Sequence, residues 1–284
     1  MKGARRAGLI VVAMLTGCGT NPANVRTLAS TIQIVTSDTP NVVAADEASC
    51  RQNAALQDEY KNLENQTLAP LPCEQLATVL DSLLELNKAL QAYGAALNSM
   101  AQDQFVTADT DSKTVTGSLQ MLDVVSAPVV AAVGSLFSLV ETAALQGYRQ
   151  HELVKAMTGQ PAAAFKTVTA AYVRLGDQYA GALERQQSNI TLISNAIVHD
   201  YSRTEPVSTA EMSVRLAALH DDVANRAAAI KDFVAAVAKV DPAFDAAAQD
   251  LTTPSPKEVY EAVKAFAAQV TDAHDKLKKA FGVP

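Results

Sequence analysis

Tryptophan is absent from the 284 residues, aromatic residues make up only 5%, and there are three cysteines and four histidines. Each shortage removes a class of function. His151, His199, His220 and His274 have no second histidine or cysteine within ligand spacing, and the residues three before them are Tyr148, Ala196, Ala217 and Thr271. The Glu-x-x-His pairs of a di-iron bundle are therefore missing. No His-Glu-x-x-His, Cys-x-x-Cys-His, glycine-rich phosphate loop or Gly-x-Ser-x-Gly elbow occurs either. No cofactor, metal site or catalytic residue is expected, and the chain reads as a non-enzyme. His199-Asp200 and His220-Asp221 look like acid/base pairs, but neighbours in a helix are not expected to face one another. Basic clusters are also lacking in a chain of net charge -7, so a nucleic-acid partner is not expected.

What is present starts at the N-terminus. Lys2, Arg5 and Arg6 precede an apolar run from Ala7 to Leu15, followed by small residues, in the order of a secretory signal peptide. The run would span about 15 Å as a helix, roughly half a bilayer core, so it is too short for a permanent anchor. Its end, Leu15-Thr16-Gly17-Cys18, resembles the lipobox of bacterial lipoproteins. That resemblance covers residues 1–18 alone and implies removal of 1–17, with diacylglycerol and a further acyl chain such as palmitate carried on Cys18. Two or three acyl chains hold a protein on a bilayer far longer than one does. Gly19 stands where an aspartate would retain such a protein at the inner membrane, so the resemblance implies the outer membrane and the periplasmic face. Loss of Lys2, Arg5 and Arg6 takes the net charge from -7 to -10.

With Cys18 lipidated, Cys50 and Cys73 remain as an even pair in an oxidising compartment, which predicts one disulfide. If Asp46 to Glu64 is a helix, Cys73 can return to Cys50 only through an extended segment, and Pro70 and Pro72 in "NQTLAPLP" favour one. Residues 18–45, rich in Thr, Ser, Asn and Pro, read as a lipidated tether, and 46–284 as one folded domain.

The hydrophobic period of that domain is helical. Val79, Leu83, Leu86, Leu90, Tyr93, Leu97 and Met100 alternate steps of four and three, and Val259, Val263, Phe266, Val270, Ala273 and Leu277 do the same. The stripe through Phe165, Val168, Tyr172, Leu175, Tyr179 and Leu183 slips once around "ERQQSN", and a second slip falls between Val223 and Ala227. Tyr172 and Tyr179 are expected in the core with their hydroxyls at the surface. Ser208 with Glu211 marks a capping box.

The seventeen uncharged residues Val124 to Val140 are apolar all round, which predicts a central helix sheathed by its neighbours and divided or kinked near Val124 to Ser126 by Pro128. The expected fold is all-α: an elongated antiparallel bundle of about five long helices with a disulfide-closed N-terminal arm. The expected role is a lipid-anchored binding or scaffolding module that meets an envelope protein through its helical surfaces. Two alternatives are a membrane-active protein that uses segment 124–140 and a carrier of a small apolar ligand.

Overall fold

The computed structural model describes residues 22–64, 73–108, 112–252 and 257–283. These form helices α1 (Ala23–Ser37), α2 (Thr39–Glu64), α3 (Cys73–Ala101), α4 (Ser112–Met121), α5 (Ala127–Gln146), α6 (Leu153–Met157), α7 (Gly159–Tyr201), α8 (Pro206–Val237), α9 (Val240–Asp250) and α10 (Lys257–Phe281), with one 3₁₀ turn before α6. No strand occurs among the described residues, and the fold is all-α.

Side-chain pairs fix the directions of the helices. Between α7 and α8 the ion pair Glu184–Lys231 and the Gln187–His220 hydrogen bond show residue numbers rising on one helix as they fall on the other. The same antiparallel order links α3 to α7, through Tyr93–Phe165, and α8 to α10, through Asp232–Lys276 and Arg226–Phe281. Small residues let the axes approach: a Cβ on Gly176 would lie 2.5 Å from Val234 Cγ2, and one on Gly94 would lie 2.9 Å from Ile32 Cγ2. The stripes counted in the sequence are the core faces, with Leu83, Leu86, Leu90, Tyr93, Leu97 and Met100 of α3 all buried.

Within the tether expected over residues 18–45, the residues from Ala23 onward are helical. Val25, Leu28 and Ala29 of α1 are fully buried, and Thr27 and Thr31 return their hydroxyls to the carbonyls of Ala23 and Thr27. A composition that suggests a linker is thereby rendered compatible with a core helix. Among the described residues the expected five long helices are α3, α5, α7, α8 and α10, and α2 is the disulfide-closed arm. The extended return expected of residues 65–72 lies outside the described residues.

Helices α1 and α2 form one rod broken at Ser37–Asp38, antiparallel to the whole of α3. The break has a local cause. Pro40 has no N–H to give the carbonyl of Thr36, and Asn87 of α3 donates its side-chain amide to that carbonyl instead, at 2.9 Å.

Segment 124–140 corrects a second expectation. Pro128 does divide the chain, standing in the first turn of α5 after an extended Ser126. The helix is not sheathed: Val129, Val133, Leu136, Phe137 and Val140 are buried, while Ala127, Ala131 and Ser138 face outwards. Alanine, serine and glycine raise the apolar count but add little area, so this one-sided helix looks apolar all round in sequence. The Ser208–Glu211 capping box is also unused, because α8 begins earlier, with Pro206 in its first turn.

Candidate functional site

Cys18, the residue expected to carry lipid, lies outside the described residues. Cys50 and Cys73 form the disulfide, with Cα atoms 5.9 Å apart. The bond ties the middle of α2 to the first residue of α3. Beyond it α2 continues for fourteen residues, about 21 Å of helix. There it is accompanied by the last two turns and more of α7 and the first half of α8, since Gln52, Ala55 and Leu56 share a groove with Met212, Leu216 and Leu219. A three-helix arm therefore projects from the bundle, and the staple sits at its base.

Polar layers run from the bundle into this arm at seven-residue intervals. The Tyr172 hydroxyl lies 3.1 Å from Thr39 Oγ1, which also bonds Asn87 Oδ1 at 3.0 Å. One heptad on, Asp46 faces Tyr179 and Arg226. One further, Asn53 donates to Gln186 at 2.9 Å. The first and third pairs share a sequence separation of 133, so α2 and α7 run parallel in fixed register. Sequence reasoning placed the hydroxyls of Tyr172 and Tyr179 at the surface, and they are buried instead. Burial raises both phenols, Tyr172 to about 12. The signal that was available is Thr39, Asp46 and Asn53 recurring every seven residues along α2.

Asp46 is the most strained of these groups. Its carboxyl is fully buried and its pKa rises to about 6, driven by desolvation and opposed by the Tyr179 hydroxyl and the Arg226 charge. Neither carboxylate oxygen makes a hydrogen bond of standard geometry, nor does the Tyr179 hydroxyl. Arg226 is held by Asp222 at 2.9 Å and stands 5.3 Å from the Phe281 ring. The arrangement fixes helix register and has no access for a substrate.

The histidines do not converge. His274 bridges α10 to the α1–α2 break, 2.9 Å from Asp38. Against expectation the adjacent pairs do meet, His199–Asp200 at 2.7 Å and His220–Asp221 at 3.2 Å, because the carboxylate swings along the helix surface to the ring. The His199 side chain is 87% exposed, so the contact forms in water. Among the described residues no group of three or more His, Cys, Asp or Glu side chains could hold a metal.

Interior space is small. The void among Val42, Leu80, Tyr172, Tyr179, Phe233 and Leu277 measures about 30 Å³, the size of a water. A larger concavity of about 890 Å³, bounded by Leu76, Val79, Leu122, Arg174 and Arg185, is an open surface groove between α3, the α4–α5 connection and α7. Neither is the enclosed apolar chamber that a carrier inside the bundle would need. Four exposed large apolar side chains stand on the arm: Leu192, Val198, Val207 and Val214 are 57, 44, 72 and 71% exposed. Comparison with protein-family models, curated proteins and solved structures finds no match.

Proposed function

We propose that this chain is a lipid-anchored, non-enzymatic envelope protein that binds or scaffolds another envelope protein through its helical arm. The observation that carries this reading is the set of exposed side chains Leu192, Val198, Val207 and Val214 on an arm whose neighbouring core is filled. The lipobox of residues 15–18 supports attachment at Cys18 and, with Gly19, a place on the periplasmic face of the outer membrane. The disulfide supports an oxidising compartment. A photo-crosslinking side chain at Val214, introduced into the full chain in its native envelope, is expected to capture one dominant protein by mass spectrometry. Adducts no more abundant than those from the same side chain at Ala268, on the exposed face of α10, would overturn the reading.

A second reading has one observation in its favour. Among the described residues α5 alone is long and apolar enough to cross a membrane, with a mean hydropathy of 1.7. Only 44% of its apolar window is buried in the bundle.

A further inference from the structure

We propose that the end of the bundle opposite the arm is a bilayer-seating face, on which Phe105 and Leu145 rest in the headgroup region of a phospholipid membrane. The inference rests on acylation of Cys18 and adds to it an orientation and a second, non-covalent contact.

The register of the helices defines this end. Asn24, in the first turn of α1, donates to Asp250 at the end of α9 at 2.7 Å, and Lys166 pairs with Asp245 at 2.6 Å. The start of α1, the end of α9 and the start of α7 are therefore level. Gln160 at that level bonds Ser135 of α5 at 3.3 Å, and α5 runs on for ten residues to Leu145. Leu145 thus stands about 15 Å beyond Asn24 along the bundle axis. From Ala23 back to Cys18 there are five residue steps, which reach at most about 17 Å when fully extended. An acylated Cys18 cannot lie far beyond the plane of Leu145, so the membrane that holds the acyl chains must meet this end of the protein.

The side chains there suit a headgroup layer. Leu145 is 88% exposed and Phe105 is 61% exposed. The aromatic ring is paired with a cation: Arg149 lies 4.2 Å from the centre of the Phe105 ring. Aromatic rings carrying long cationic side chains are the combination that places apolar area below phosphate oxygens and charge among them. Arg149 also pairs with Asp103 at 3.8 Å, so in a chain of net charge -7 this end carries no excess of anions at Phe105 to repel lipid phosphates.

The absence of tryptophan supplies the test, because a single tryptophan becomes an unambiguous reporter. The full chain carrying Leu145→Trp, or Val207→Trp at the arm tip, is purified with its native N-terminus. It is then reconstituted in phosphatidylethanolamine–phosphatidylglycerol vesicles with and without brominated acyl chains, and the N-terminal peptide is weighed in parallel. The expected result is an acylated Cys18, a blue-shifted L145W emission that loses most of its intensity to the brominated lipid, and an unquenched V207W. An acylated protein whose L145W is no more quenched than V207W would overturn this inference and leave the anchor standing. An unmodified Cys18 would overturn both. A blue shift that grows with protein concentration, without brominated-lipid quenching, would assign the face to a second copy of the chain and would equally overturn the proposal.

Discussion

Asp46 has the least favourable surroundings of any acid described in the molecule, and the consequence can be worked out in sign. Its carboxyl titrates near 6 in the folded protein, against about 3.9 for an unperturbed aspartate, so the folded state holds the proton more tightly than the unfolded chain does. The contribution of this group to stability is therefore fully present below about pH 4 and is lost as the pH rises through about 6, a swing of about 3 kcal/mol. Asp46→Asn keeps the shape and removes the ionisation. Chemical denaturation is expected to show the wild-type protein losing about that much relative to D46N between pH 4 and pH 8. Parallel pH profiles for the two proteins would refute the assignment. The groups facing Asp46 are Tyr179 of α7, Arg226 of α8 and Glu47 of its own helix, and only Tyr179 and Arg226 favour the ionised form. At the same scale Asn87 performs a different task, because it replaces the backbone donor that Pro40 lacks. Nothing in the local sequence of α3 announces that role, since the partner lies 51 residues away.

For the elements, the disulfide is the informative constraint. It closes a loop of separation 23 at the base of the arm, which in the chain-entropy account restricts the unfolded chain by about 3 kcal/mol. Reduction, or Cys50→Ser with Cys73→Ser, is expected to lower global stability by up to that amount. It is also expected to raise amide exchange first in the part of α2 beyond Cys50, which no longer has α3 beside it. Equal exchange in the oxidised and reduced proteins along that part would contradict the role given to the staple. The legibility of the elements follows from what each one buries. Helices α3 and α10 announced themselves because their large apolar residues recur with helical period and face one core. Helix α1 did not, because its threonines satisfy their own hydroxyls against the preceding turn and so occupy a buried face that composition assigns to solvent. The slip in the α7 stripe was visible, but its meaning was not: Gln186 fills the gap because Asn53 is waiting on α2. Cys50 and Cys73 were readable as a pair from the expected compartment and from parity, whereas the exposed apolar side chains of the arm depend on where α3 begins and could not be read from periodicity.

On the scale of the whole molecule the open question is whether α5 stays in the bundle, because the membrane-active reading requires it to leave. Its outward face, Ala127, Ala131 and Ser138, is small and gives a bilayer little to hold. Its inward face carries Val129, Val133, Leu136, Phe137 and Val140, all buried with α3 and α7 as the main neighbours. At about 1.5–3 kcal/mol for each fully buried large side chain, detaching five of them costs on the order of 10 kcal/mol before the exposed flanks of α3 and α7 are counted. Insertion of a helix of mean hydropathy 1.7 would have to return that amount and also bring Glu141 to the membrane. The protein without its acyl chains is therefore expected to release no dye from phosphatidylethanolamine–phosphatidylglycerol vesicles at neutral pH, with α5 amides as protected as they are in free solution. Dye release accompanied by loss of protection in α5 would shift the favoured role from a static, membrane-seated scaffold to a protein that unpacks one helix into lipid. The rest of the architecture argues against such motion: α5 is pinned at one end by the Glu141–Ser112 hydrogen bond and near its start by Arg174, which donates to the carbonyl of Val124.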